Sequence, residues 1–276
     1  MIKSINDTAT LNNGVKMPWF GLGVYKAEEG EEVGFAVRTA IETGYRAIDT
    51  AALYGNERGV GKAVKDSGIK REDIFITTKV WNDHHGSDLA LKAFDESRKK
   101  LNMDYLDLYL IHWPGKDKYK DTWKALEKLY KDGYVRAIGV SNFQIHHLED
   151  LIADSEFIPM VNQVEYHPRL TQKNLYDYCK KQGIQLEAWS PIMKGRLTDN
   201  PTLIELGKKY GKTPSQVILR WDLEKEVITI PKSVNKNRII ENANIFDFQL
   251  EKEDIETIDQ LNQNNRVGLN PDNFSF

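Results

Sequence analysis

The sequence lacks most of the features that would assign it to a class by composition alone. Among 276 residues there is one cysteine, Cys179, so no disulfide can close within the chain and a reducing compartment is expected. No stretch approaches the ~18 apolar residues of a membrane span, and the opening "MIKSINDTATLNNGVKMPWF" has no apolar core of the kind a secretion signal carries. Neither sign of charge dominates: 38 basic and 41 acidic residues are mixed along the chain, with a formal charge of -3, which leaves no electrostatic footprint for nucleic acid. Metal-ligand spacings such as Cys-x2-Cys or His-x3-His are missing. The adjacent pairs His84-His85 and His146-His147 should point apart on a helix or strand. These absences predict a cytoplasmic protein with small-molecule partners, no nucleic acid, no membrane and no metal; a monomer is expected, although no feature of the sequence fixes the oligomeric state.

What the sequence does contain is a repeat of strand and helix signals. "ATLNNGVKMP" reads as a hairpin, because Asn13-Gly14 suits a tight two-residue turn with positive φ angles. After it come eight apolar runs: "FGLGV" (20–24), "RAID" (46–49), "IFITTKV" (74–80), "YLDLYLI" (105–111), "VRAIGV" (135–140), "MVNQV" (160–164), "IQLEAW" (184–189) and "VITI" (227–230). They recur every ~25 to 40 residues, the length of one strand plus one helix. Between them Val33, Val37, Ala40 and Ile41 share a helical face, as do Trp123, Leu126 and Tyr130. Eight such units without a linker match an α/β fold of the (β/α)8 TIM-barrel type with an N-terminal β-hairpin, residues 1–276 forming a single domain. A doubly wound sheet is the competing arrangement. Its dinucleotide fingerprint is missing, since "GLGVYK" has lysine where the third glycine of G-x-G-x-x-G belongs.

Barrels of this kind carry their chemistry at the C-terminal ends of the strands. Asp49, Tyr54, Lys79 and His112 fall at or just beyond such ends. Singly, each has an ordinary explanation. Asp49 could cap a helix, although Asn56 is better placed for that. Tyr54 could be a packing phenol, Lys79 could reach along the strand into water, and His112 could be a core imidazole. Together they complete one another. A carboxylate can hold a buried lysine charged, the ammonium can lower the pKa of a phenol, and an imidazole can orient an acceptor oxygen. On this reading Tyr54 is a proton donor.

The blocks "GYRAIDTAALYGNE", "TTKVW", "LDLYLIHWP", "VRAIGVSNF", "VNQVEYHP", "WSPIMKG" and "IPKSVNKNRIIENA" follow one another as they do in the aldo-keto reductases, and the chain resembles that family from end to end. Within it the resemblance is to bacterial glyoxal, methylglyoxal and diketogluconate reductases. It implies a (β/α)8 barrel, NADP(H) as cofactor, the catalytic tetrad Asp49, Tyr54, Lys79 and His112, and a role in disposing of methylglyoxal. Ser141, Asn142 and Gln163 are then assigned to the nicotinamide carboxamide, although Asn142 could equally cap a helix. Trp189, where many relatives have tyrosine, would stack on the nicotinamide, unless it only packs the core.

The resemblance further places Gly23, Val24 and Asp49 beside the cofactor, and the loop Ser190, Pro191, Ile192, Lys194 and Gly195, running on to Leu197, around the pyrophosphate. Lys232, Ser233, Val234 and Arg238 would take the 2′-phosphate, with Glu241 and Asn242 facing the adenine. Physical chemistry supports that end independently, because a helix N-terminus after the last strand, flanked by two cations, suits an anion. A solvated basic edge is its plain alternative. Tyr25, Tyr54, Trp81, His112 and Trp113 are expected to line the substrate pocket. Short segments "GKDKYKD" and "NRVGLNPDNFSF" predict an open pocket suited to small aldehydes and dicarbonyls. Three further readings remain at this point, a Schiff-base aldolase using Lys79, a reductase of sugar aldehydes, and a cofactor-binding sensor or channel-associated subunit with vestigial chemistry. His167 in "EYHP" has no role that the sequence supplies.

Overall fold

The structure is a computed structural model that describes residues 2–115 and 118–274. The eight predicted runs form β3 (Leu22–Gly23), β4 (Ala47–Asp49), β5 (Phe75–Val80), β6 (Leu106–Ile111), β7 (Val135–Ser141), β8 (Val161–Glu165), β9 (Gln185–Trp189) and β10 (Ile228–Thr229). They lie side by side in chain order, each parallel to the next. A doubly wound sheet would reverse that order and leave two edges. Here the edges meet: Phe20 bridges Thr229 and Gly23 bridges Lys232, with the Gly21 and Gly23 N–H groups donating to Thr229 O (3.1 Å) and Pro231 O (3.2 Å). A Cβ on Gly23 would stand 2.9 Å from Ile230 O, so this seam needs glycine. The sheet is a closed barrel.

Ten helices surround it among the described residues: α1 (Glu31–Thr43), α2 (Glu57–Asp66), α3 (Ser87–Leu101), α4 (Tyr119–Lys131), α5 (Ile145–Ile152), α6 (Lys173–Gln182), α7 (Pro201–Tyr210), α8 (Pro214–Glu224), α9 (Lys236–Ala243) and α10 (Lys252–Asp259). The predicted stripe of α1 is buried at Val33, Val37, Ala40 and Ile41, and each valine so removed from water contributes ~1.5–3 kcal/mol. The helix stops where Gly44 turns left-handed at φ 107°. Strands β5 and β6 are buried at every position, as expected of strands with helices outside and packed side chains within.

The N-terminal hairpin pairs β1 (Thr8–Thr10) with β2 (Lys16–Pro18), but its turn differs from the expected one. The Leu11 N–H donates to Val15 O at 2.9 Å, so three residues, not two, span the loop. Of these Gly14 alone has positive φ, 86°. Asn13 turns its side chain to other work, donating to Arg136 O at 2.9 Å, while the Asn12 side chain donates to Pro159 O at 3.2 Å. Those carbonyls lie at and just before the starts of β7 and β8, so the hairpin covers the N-terminal end of the barrel. A cavity of about 280 Å³ lined by Trp19, Tyr176, Cys179 and Ile184 lies at that end, away from the strand ends that carry the polar cluster.

Candidate active site

At the other end the chain gathers the predicted tetrad. Asp49 closes β4 and Lys79 is the fifth residue of β5. Both are buried, and Lys79 Nζ donates to Asp49 Oδ1 at 2.6 Å and to Thr50 O at 2.9 Å. Tyr54 ends a short 3-10 turn, Ala52–Tyr54, which left-handed Gly55 (φ 69°) brings to a stop. The ammonium of Lys79 lies 5.2 Å from the centre of its ring. His112, just past β6, meets Tyr54 edge-on at 5.6 Å and Trp81 at 5.2 Å between ring centres. Tyr25 packs against Tyr54 at 5.0 Å. Tyr25, Tyr54, Lys79, Trp81 and His112 therefore form one group.

Burial acts against every charge here, and the neighbours decide what survives. For Lys79, burial favours the neutral amine, but the Asp49 charge, the nearby Tyr54 phenol and the short bond to Asp49 hold it above the ordinary lysine range. The Asp49 carboxyl is raised by burial, with Lys79 and Gln163 opposing. At 2.6 Å the two stabilise each other as an ion pair. Tyr54 departs from expectation. Burial pushes its phenol up to about 12, and the Lys79 ammonium offsets only part of that. The predicted lowering by lysine is present but is outweighed by loss of water. His112 is driven well below the ordinary imidazole value by burial and then by Lys79, so its ring is neutral.

Three polar residues that sequence reasoning did not place in the site, Glu187, Asn56 and Glu165, support it. Gln163 Nε2 donates both to Asp49 Oδ2 (2.8 Å) and to Glu187 Oε2 (2.9 Å), linking the tetrad to a second buried carboxyl. Burial and the Asp49 charge push Glu187 up to about 8. The folded protein then keeps a proton that the unfolded chain would release, so this group's contribution to stability is complete below the ordinary carboxylate range and is lost as pH rises through about 8. A Glu187→Gln variant should show a smaller fall in melting temperature than the parent between about pH 5 and about pH 9 in thermal unfolding; equal slopes would contradict the shift. Asn56 precedes α2 but does not cap it with its side chain. It is fully buried, donates to Val24 O (2.9 Å) and Ala27 O (3.0 Å), and accepts from Thr50 Oγ1 (2.7 Å). It thus ties the loop carrying Tyr25 to the one carrying Tyr54. The third is Glu165, at the end of β8, described below. A carboxylate in the middle of a barrel strand was the available signal for Glu187, and the β8–β9 register sets it opposite Gln163.

On the cofactor side, Ser141 donates to Gln163 O at 2.8 Å, and Asn142 donates to His112 O (3.0 Å) and Ser141 Oγ (3.1 Å). Asn142 does not cap α5, whose N-cap is Gln144; it adopts a left-handed φ of 66°, uncommon outside glycine, and accepts from Trp189 Nε1 at 2.9 Å. Trp189 is half-buried and is bound through its indole N–H into the group assigned to the carboxamide, a bond tyrosine could not make in that form. Past it, Ser190, Met193, Lys194 and Gly195 all have positive φ (55°, 50°, 57° and 80°), giving a tightly coiled loop with Pro191 and Leu197 buried.

At the barrel seam Gly23 stands between Asp49 on β4 and Lys232 after β10. Helix α9 begins at Lys236 with Asn235 as its cap, accepting from Arg238 N at 3.2 Å. Ser233 is therefore not the helix start: its Oγ accepts from Asn235 N at 3.1 Å, bracing the approach. Lys232 and Arg238 are exposed and make no ion pair among the described residues. Asn242 is buried on α9, whereas Glu241 is exposed and accepts from Thr213 Oγ1 at 2.9 Å.

Trp113 is more covered than an open pocket would have it, 8% exposed with its ring 5.2 Å from that of Phe274 in the C-terminal tail. Within "GKDKYKD", Lys120 pairs with Asp150 and Asp154, while Lys116 and Asp117 lie outside the described residues, as do Ser275 and Phe276. The histidine pairs behave differently from each other. His84 is exposed and His85 buried, but the His146 and His147 rings lie 4.0 Å apart, close to Asp272. The helix start explains this, since His147 folds back so that its Nδ1 accepts the Gln144 N–H at 3.1 Å. A neutral ring so held keeps its proton on Nε2, which removes its free lone pair.

A closed (β/α)8 barrel with a Tyr-Lys-Asp-His cluster at its mouth defines a class of oxidoreductase, and residues 19–263 match the model of the aldo/keto reductase family. The chain belongs to that family. It is 63% identical, over the whole length of both, to the glyoxal reductase of Bacillus subtilis (strain 168). In structure it is similar to MGS-M4, an aldo-keto reductase from a deep-sea metagenome library (TM-score 0.95, 46% identity, 98% of this chain and 100% of that one). It is also similar to a Bombyx mori aldo-keto reductase in complex with NADP (TM-score 0.90, 38% identity, 99% and 97%).

Proposed function

We propose that the protein reduces small aldehydes and dicarbonyls of the glyoxal and methylglyoxal type to alcohols, with NADPH as reductant, acting as a single-domain monomer in the cytoplasm. The observation that carries this reading is the buried Lys79–Asp49 pair set against the Tyr54 phenol and a neutral His112. NADPH, when bound, supplies the hydride. The residues present suit it: Lys232 and Arg238 are uncommitted cations at the head of α9, where helix N–H groups also favour an anion, while Asn142, Gln163 and Trp189 would hold and face the nicotinamide.

His112, uncharged, orients the carbonyl oxygen toward Tyr54. As negative charge builds on that oxygen it becomes far more basic than a phenolate, so Tyr54 gives up its proton despite a pKa of about 12. Lys79, kept charged by Asp49, then stabilises the phenolate left behind. The same geometry disfavours a Schiff-base aldolase, which needs a neutral lysine amine; Lys79 is instead held as an ammonium between Asp49 and Thr50. Sugar aldehydes remain within the same chemistry and differ only in pocket fit.

The test is loss of NADPH absorbance with glyoxal, methylglyoxal and nitrobenzaldehyde, where no carbonyl-dependent loss would overturn the proposal. Alanine at both Lys232 and Arg238 should raise KM for NADPH by roughly 10- to 100-fold while changing that for NADH by less than about 3-fold, the scale of losing charge-assisted bonds to one phosphate. Equal losses with both cofactors would place the 2′-phosphate elsewhere.

A further inference from the structure

Building on the proposed NADPH site, we infer that Glu165, seated against His167, is a positioning residue that clamps the C-terminal tail onto Trp189 and so fixes the plane offered to the nicotinamide. Glu165 is fully buried at the end of β8. Its Oε1 accepts the Val267 N–H at 2.6 Å and its Oε2 the Gly268 N–H at 3.0 Å, so one carboxylate grips two successive amides of the tail. His167 Nε2 lies 2.9 Å from Oε1, and Gln172 Nε2 donates to the Glu165 carbonyl at 2.6 Å while receiving Arg266 Nη2 at 2.9 Å on its own oxygen.

These contacts deliver Gly268 against the indole. A Cβ on Gly268 would fall inside van der Waals contact of Trp189 Cη2, which is why backbone alone can pass there. The opposite end of the same indole is held by its Nε1–H bond to Asn142. Trp189 is thus fixed at both ends of its long axis, by Asn142 at the five-membered ring and by the clamped tail at the six-membered ring. The assignment gives His167, which had no derivable role from sequence, a purpose as the partner of Glu165.

The experiment uses the full-length protein and NADPH binding followed by fluorescence without any carbonyl, alongside amide exchange of the tail. Glu165→Gln replaces one accepting oxygen with an N–H donor facing a tail amide. It should weaken NADPH binding by about tenfold, the scale of losing a bond to a charged acceptor, and speed exchange at Val267 and Gly268. At saturating NADPH the carbonyl KM should stay within about twofold. Gly268→Ala, in the partly exposed tail, should weaken NADPH similarly and serves if Glu165→Gln misfolds. The double variant should be no worse than the weaker-binding single, because both act through one contact. Wild-type NADPH affinity in both single variants, unchanged tail exchange in Glu165→Gln, or losses that multiply in the double variant, would overturn the clamp. Binding of NADPH without turnover would instead refute the functional reading and leave the clamp standing.

Discussion

Tyr54→Phe lowers carbonyl reduction by roughly 10²- to 10⁴-fold, the contribution of a positioned general acid, while the affinity for NADPH changes little. Phenylalanine preserves the ring that packs on Tyr25 and His112 and removes the proton that the proposed mechanism delivers to the carbonyl oxygen, so the loss should fall on kcat rather than on binding. Stopped-flow measurement of NADPH oxidation at saturating cofactor separates the two; retained turnover would assign proton donation to another group. Since burial holds Tyr54 at about 12, this phenol stays protonated through the physiological range, and an alkaline inflection in kcat/KM near neutrality would have to come from another residue.

Lys79→Met is the most damaging single change expected for the fold as well as for activity. It leaves Asp49, 4% exposed, without its cation, and breaking a buried pair from one side costs ~3–5 kcal/mol. For a chain of this size that is a fall of ~5–9 °C in melting temperature. Adding Asp49→Asn removes the stranded charge and should restore much of the lost stability without restoring turnover. Calorimetry and the NADPH assay on the two single variants and the double distinguish the outcomes: a double variant as unstable as Lys79→Met alone would show that the pair is not what holds this end of the barrel.

The eight strands and the gathering of Asp49, Tyr54, Lys79 and His112 at one end of the barrel were legible because each is written locally: an apolar run with a polar residue at or just past its end, repeated at strand-plus-helix spacing. The pKa of Tyr54 was not, because its direction depends on how much water the surrounding loops exclude, and no spacing encodes that. Asn56 looked like a cap from its place before α2, yet its side chain is drawn into bonds with Val24 and Ala27, partners far away in sequence. The same holds for Asn13, where a local turn preference yielded to a carbonyl on β7. Glu165 was unreadable as a site residue because what defines it, a tail folding back, exists only after the barrel has closed, and Glu187 left only the signal of a carboxylate within a strand, its pairing with Gln163 being set by the β8–β9 register.

The seam between Gly23 and Lys232 gives that closure a further meaning. The two shortest staves, β3 and β10, meet there, joined by a few N–H···O stitches in place of a full ladder. A molecule gripping Lys232 on one side and the Gly23–Tyr25 loop on the other would span the join like a clasp, and its binding energy would be added to the cohesion of the wall itself.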